Sequence, residues 1–201
     1  SEFYEIRVAG LKQRAEAGVS DRNPDGLSAA EQLVAIEANV RALVREQYLC
    51  WREEIVPAIE REGAIILRPG MLADDDARWL DEHFDAEIFP VLTPITVDPT
   101  HPFPHVTSKS LTIAALLSND DPEHPERLAV VQAPSALARI VRLPARNGLR
   151  RYVFLADVIR WSLPKLFPGL PILDHTAFRV TRNSNLYVDE EEVENLLTAI
   201  E

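Results

Sequence analysis

Apolar residues in the first half of the chain recur at steps of three and four, the spacing of amphipathic helices. They predict three helices, over residues 3–17, 28–63 and 74–88. Ser28 and Glu31 have the spacing of a capping box and mark the start of the long helix. Pro57 predicts a kink or break within that helix, because proline removes one ladder hydrogen bond. An all-α bundle is the simplest way to bury these stripes.

The pattern changes between residues 90 and 104, where the density of prolines excludes a helix. Beyond that segment, runs of β-branched and apolar residues predict strands over 111–117, 128–132, 140–143, 151–154 and 178–182. Residues 64–67 are read as a short strand or an extended connector, and 155–161 and 189–201 as helices. The fold prediction is therefore two domains: an all-α helical bundle over 1–88 and an α+β domain over 89–201.

The charge balance excludes several classes of partner. Lys and Arg number 21 against 32 Asp and Glu, giving a net charge of -11. This argues against binding to nucleic acid or to an anionic membrane surface and, at first sight, against a polyanionic substrate. No apolar run reaches the length of a membrane span. Cys50 is the single cysteine, so an internal disulfide is excluded and a reducing, cytoplasmic location is expected.

Few residues suggest chemistry by spacing alone. The seven glycines are far apart, so the chain has neither a P-loop nor a Rossmann fingerprint. Prolines hold His101 and His105 in an extended segment, which favours a rigid linker over a metal or acid–base site. The acidic runs Asp74–Asp76 and Asp189–Glu192 precede helices, which favours helix N-terminal charge over metal ligands. The pattern thus predicts no catalytic residue and no metal ligand.

One stretch is densely basic and surrounds Asn147 and Gly148, a pair that predicts a hairpin turn. Its members are Arg139, Arg142, Arg146, Arg150 and Arg151. It predicts either a contact with an anion or partner or, more commonly, a solvated hairpin. Arg179 and Arg182 lie on the predicted last strand, where we expect at least one to face solvent or an ion pair.

Several longer strings resemble a known family. They are Glu2–Lys12, Phe89–Pro99, His101–Pro104, Leu166–Gly169 and Phe178–Asn183. In this order they are similar to the N-terminal portion of the long, histidine-phosphorylating polyphosphate kinases. The resemblance covers essentially the whole chain. It implies the N-terminal helical domain without its first helices, followed by part of a head domain.

The resemblance also implies an activity: reversible transfer of the terminal phosphate of ATP to polyphosphate, through a phosphohistidine and with Mg²⁺. In the family that histidine lies in C-terminal domains, and none of the five histidines here matches its position. ATP and polyphosphate are therefore expected to bind through the full-length enzyme, and the isolated chain is expected to be inactive. The acidity then describes only this part of the enzyme, which alone should bind polyphosphate poorly.

Arg7 is the one candidate for a nucleotide contact, because it lies in a matching string on a helix that the family places beside the nucleotide. The alternative is an ordinary helix-surface arginine. The family's asparagine near the base has no counterpart here, since Ser1 precedes Glu2. A second hypothesis makes the chain a non-catalytic oligomerisation or binding module, with a homo-oligomer formed through the head domain.

Overall fold

The computed structural model describes residues 2–18, 22, 26–97, 104–119 and 125–183. The described helices are α1 (Ala9–Glu16), α2 (Ala29–Cys50), α3 (Val56–Arg61), α4 (Asp74–His83), α5 (Leu155–Trp161) and α6 (Leu163–Leu166). The strands are β1 (Ala64–Leu67), β2 (Thr93–Thr96), β3 (Thr112–Ser118), β4 (Glu126–Gln132), β5 (Ile140–Arg142), β6 (Arg150–Phe154) and β7 (Ile172–Phe178). This confirms an α+β chain whose helices dominate the first half.

Contacts divide the chain into two compact units, Ser1–Arg45 with Thr181–Glu201 and Glu46–Val180. The domain boundary expected after residue 88 stays a prediction. Among the described residues, no helix combines the length and the apolar character needed to cross a membrane.

The start of α2 confirms the capping box. The hydroxyl of Ser28 accepts a hydrogen bond from the backbone N–H of Glu31 at 3.3 Å. The Glu31 carboxylate accepts one from the Ser28 N–H at 2.8 Å, and this bond lowers the pKa of that carboxyl. The capping box thereby satisfies two of the backbone donors at the helix start.

Two helical runs contain a π-helical turn shortly before a proline. Trp51–Ile55 separates α2 from α3 ahead of Pro57, and Phe84–Ile88 follows α4 ahead of Pro90. Proline lacks the N–H that an α-helical ladder needs, and a wider turn is one way to absorb the defect. The predicted irregularity near Pro57 is therefore a change of helical register within a run that continues to Arg61.

The strands of the Glu46–Val180 unit form two sheets, of order β1-β6-β5 and β2-β4-β3-β7. In the first, β1 pairs parallel with β6, with Ala64 opposite Arg150, and β5 pairs antiparallel with β6. The second sheet is antiparallel throughout. Residues 64–67 are thus a strand, which settles the alternative left by the sequence.

One hydrophobic core joins the sheets to the helices of this unit. Leu80, Phe84 and Ile88 lie along the helical run that starts with α4, and all are buried. They belong to the same cluster as strand residues such as Ile113 and Val153. The apolar stripe that predicted this helix is therefore the face that packs.

Two strand predictions require correction. The strand predicted over 178–182 is wrong: β7 is Ile172–Phe178, which begins after Pro171. Its middle residues, Asp174 and His175, have low intrinsic strand preference, so pairing with β3 decides its position. The sequence predicts no strand in the proline-rich segment, whereas the structure has β2 there. Pro94 is tolerated in this strand because β2 lies at the edge of its sheet. His101 and the helix predicted over 189–201 lie outside the described residues.

Candidate functional site

A groove of about 430 Å³ lies on one face of the N-terminal helical segment, which consists of the π-helical run Phe3–Val8 and α1. Tyr4, Val8 and Lys12 line it at four-residue intervals, the spacing that places side chains on one helix face. Thr181 and Asn183, which follow β7, line it as well. We call these residues the helix groove. It brings together residues of the strings Glu2–Lys12 and Phe178–Asn183, which lie far apart along the chain.

The chemistry of the helix groove fits a polar, anionic ligand. Lys12 is exposed and supplies an ammonium group, which binds phosphate as a point charge. Thr181 and Asn183 supply a hydroxyl and an amide, and Tyr4 adds a ring that is 39% exposed. Glu16 also lines the groove and reduces its positive character.

Arg7 lies on the same helical segment but does not line the helix groove. Its Nη2 donates a hydrogen bond to Oε1 of Gln32 at 3.3 Å. Gln32 is buried, and its Nε2 donates to the carbonyl oxygen of Leu27 at 3.5 Å. This geometry ties the first helical segment to the start of α2. The nucleotide role of Arg7 stays a prediction.

Of the five arginines in the basic stretch, Arg151 alone is buried, and Arg146, Arg150 and Arg151 each contact other groups of the protein. Arg151 is only 7% exposed, and its Nη1 and Nη2 lie 2.5 and 2.9 Å from the two carboxylate oxygens of Asp76. Arg146 lies 3.4 Å from the same carboxylate, and Arg150 donates to the carbonyl oxygen of Glu62. The solvated-hairpin interpretation is therefore wrong for Arg151, because its guanidinium neutralises a buried carboxylate.

Asp76 has a second role beyond its place in the first turn of α4. Hydrogen bonding from Arg151 holds the pKa of its carboxyl below the usual value, against the opposing effect of burial. The same pair raises the pKa of Arg151. This bidentate contact fastens the start of α4 to β6, a structural function that charge patterning alone did not indicate.

His175 lies beside a groove of about 650 Å³ but is held by its neighbours. Its Nδ1 accepts a hydrogen bond from Nε of Arg160 at 3.1 Å, and Arg160 also reaches Asp157 at 3.4 Å. The described residues contain no group of three His, Cys, Asp or Glu side chains placed to hold a metal ion.

Comparison with known families gives a match across nearly the whole chain. Residues 1–67 match the polyphosphate kinase N-terminal domain, and residues 75–201 match the polyphosphate kinase middle domain. The chain belongs to the polyphosphate kinase family. The family resemblance inferred from the sequence is therefore confirmed.

Named relatives agree with this assignment. The polyphosphate kinase of Streptomyces coelicolor is 42% identical over 200 residues, which covers 100% of this chain and 26% of that protein. The polyphosphate kinase of Mycolicibacterium gilvum is 40% identical over 203 residues, covering 100% of this chain and 28% of the relative. The chain thus spans little more than a quarter of these polyphosphate kinases.

A solved structure also matches. The crystal structure of polyphosphate kinase from Porphyromonas gingivalis superposes with a TM-score of 0.77 at 26% identity, covering 94% of this chain and 28% of that one.

The sequence did not predict the helix groove as a unit. The four-residue spacing of Tyr4, Val8 and Lys12 could have indicated a shared face, but nothing in the sequence places Asn183 beside it.

Proposed function

We propose that this chain is the N-terminal part of an enzyme that reversibly transfers the terminal phosphate of ATP to polyphosphate, through a phosphohistidine and with Mg²⁺. The observation that carries the proposal is the match of residues 1–67 and 75–201 to two domains of one kinase family. None of the five histidines stands in a string that matches the family's phosphorylated position. The phosphohistidine is therefore assigned to the C-terminal domains.

Within that enzyme, the chain forms a helical domain and part of a head domain, and the helix groove contributes one wall of the nucleotide and phosphate pocket. Lys12 faces the negatively charged ligand, and Arg7 holds the helix that carries Lys12. This is supported by the hydrogen bond from Arg7 to Gln32 and by the lining of the groove. The single cysteine supports a cytoplasmic location.

A chimera tests the proposal. The segment of the Streptomyces coelicolor polyphosphate kinase that aligns with this chain is replaced by all 201 residues of this chain. The chimera should synthesise polyphosphate from ATP, whereas the isolated chain should not. A folded chimera without synthesis would contradict the assignment, and synthesis by the isolated chain would contradict its predicted inactivity.

Two substitutions in the chimera separate ligand contact from support. Lys12→Ala should raise the KM for ATP roughly tenfold, because a charge-assisted hydrogen bond is lost. Arg7→Ala should lower the melting temperature, because the bond to Gln32 is lost. Arg41→Ala, an exposed change on α2, is the control for both measurements. An Arg7→Ala variant with unchanged stability and a raised KM would make Arg7 the nucleotide contact instead.

A second function, assembly, is favoured by an exposed apolar patch at the edge strand β2. Ile95 is 43% exposed and pairs with Val130, so it shares a sheet face with Leu128, which is 37% exposed. Phe89 and Val91 lie just before this strand and are also exposed. An unpaired apolar edge of this kind is a template for association between chains.

The assembly proposal predicts a homo-oligomer through this part of the head domain. Light scattering of the purified chain should show a mass that falls to that of a monomer in Ile95→Lys. Ile140 lies on β5, the edge strand of the other sheet, and is similarly exposed. Ile140→Lys adds the same charge there and should leave the mass unchanged. A monomeric parent chain, or equal loss in both variants, would exclude β2 as the interface.

A further inference from the structure

A second groove, of about 680 Å³, lies within the Glu46–Val180 unit. The end of α2 and the following π-helical turn form one side, with Tyr48 and Trp51, and Phe154 and Arg179 form the other. The rings of Trp51 and Phe154 have centroids 6.0 Å apart and are tilted by 49°. Tyr48 is 62% exposed. We call these four residues the aromatic groove.

The charge of the aromatic groove is unusual for this chain. Arg179 lines it and is exposed, and no carboxylate stands among its described lining residues. The nearby carboxylate of Glu54 lies 4.0 Å from Sγ of Cys50, which lines the groove. Other grooves among the described residues are lined by a carboxylate, as by Asp157, Glu87, Glu54 and Glu16. Arg179 is therefore the charged side chain among its described lining residues, and in a chain of net charge -11 it offers a site for an anion.

Three features of the aromatic groove point to one chemical class. Its volume lies in the range of pockets that hold small ligands. Its aromatic side chains offer faces on which a planar ring stacks, and a guanidinium binds phosphate through two parallel hydrogen bonds. Gln47 also lines the groove and is exposed, and its amide can both donate and accept hydrogen bonds at a base edge.

We propose that the aromatic groove binds a nucleoside monophosphate, with the base against Tyr48, Trp51 and Phe154 and the phosphate on Arg179. The groove shares no lining residue with the helix groove. The inference therefore stands on its own chemistry and not on the proposed phosphotransfer.

The test uses the 201-residue chain and three probes: AMP, adenosine and ribose 5-phosphate. Binding is followed by tryptophan emission, with Trp51→Phe to assign the signal, and by the rate at which iodoacetamide alkylates Cys50. Cys50 lines the groove and is the single cysteine, so the alkylation reports on this place alone. AMP should bind at least about tenfold more tightly than either other probe and should slow the alkylation.

Substitutions then assign the two halves of the ligand. Arg179→Gln should weaken the binding of AMP about tenfold and leave the affinity for adenosine unchanged. Tyr48→Ala should weaken the binding of both ligands. Arg52 is an exposed arginine of the π-helical turn Trp51–Ile55, and its side chain does not line the groove. Arg52→Gln should change neither the affinity for AMP nor that for adenosine. Unchanged circular dichroism melts establish that each variant is folded.

Three results would overturn the inference: AMP binding no more tightly than ribose 5-phosphate, unchanged AMP affinity in Arg179→Gln, or Cys50 alkylation unaffected by AMP. The outcome is independent of the chimera experiment. A chimera that fails to make polyphosphate would not change the expected binding of AMP to the isolated chain. An isolated chain that does not bind AMP would not change the expected synthesis by the chimera.

Discussion

At the scale of single residues, the ion pair of Asp76 and Arg151 is the feature with the largest energetic consequence. Both side chains are more than nine-tenths buried, and removal of one member leaves the other charge unpaired. We expect Asp76→Asn to lower the free energy of unfolding by about 3–5 kcal/mol, measured by urea denaturation. The control is Asp75→Asn, because that neighbouring side chain is 73% exposed. Equal losses in both variants would contradict a role for burial.

The same pair predicts a pH dependence. The pKa of Asp76 is lowered in the folded state. The stability that the ion pair contributes is therefore fully present above the pKa of the unfolded state, about 4. It is lost as the pH falls through the lower, folded pKa. The stability difference between the parent chain and Asp76→Asn should therefore shrink below about pH 4. Urea titrations from neutral to acidic pH measure this, and a constant difference would refute the ion pair as its source.

The sequence at this scale predicted local relations better than distant ones. Ser28 and Glu31 cap α2 as their spacing indicates, because both groups of that motif lie within one turn. The sequence places Arg151 in a basic stretch that predicts either an anion or partner contact or a solvated hairpin, and it does not indicate Asp76, which stands far away along the chain. Nothing in the spacing of either residue identifies the other.

At the scale of elements, the turn of Asn147 and Gly148 is a prediction that the structure confirms. Both residues have positive φ, 54° and 74°, which is the conformation of a type I′ hairpin turn. Arg146 and Leu149 bridge across it. The sequence succeeds here because few residue pairs adopt this conformation without strain.

Substitution of that glycine gives an element-scale prediction. Gly148→Ala should destabilise the chain by about 1–2 kcal/mol, because an L-residue is strained at the positive φ of this position. The added Cβ meets open space, so steric clash adds nothing to this cost. Gly10→Ala is the control of opposite sign: Gly10 lies within α1, and alanine should stabilise it by roughly 0.5–1 kcal/mol. Thermal melts of the two variants should shift in opposite directions, and a shared direction would contradict the argument.

Strand positions were harder to predict than helices. The stripe through Leu80, Phe84 and Ile88 is complete within one element, so periodicity alone gives the buried face. For β7, alternation favoured residues after Phe178, whereas the register with β3 places the strand before it. Strand position depends on a partner that is remote in sequence. The same holds for β2 and its partner β4.

At the scale of the whole chain, the net charge of -11 makes a prediction about polyphosphate. The chain alone should show no saturable binding of polyphosphate in a filter assay, because the long-range field repels a polyanion. Added salt should not weaken any residual association, because salt screens the repulsion between the acidic chain and the polyanion. Tight binding that falls with rising ionic strength would contradict this. The full chimera serves as the positive control.

The parallel pairing of β1 with β6 also sets an order of events during synthesis. Ala64 leaves the ribosome long before Arg150, its partner in the sheet. Until then β1 presents unpaired N–H and C=O groups on the side that β6 later covers, and closing so long a loop is slow. A nascent chain that stalls before residue 150 therefore exposes an incomplete sheet edge, the kind of surface that chaperones protect from aggregation.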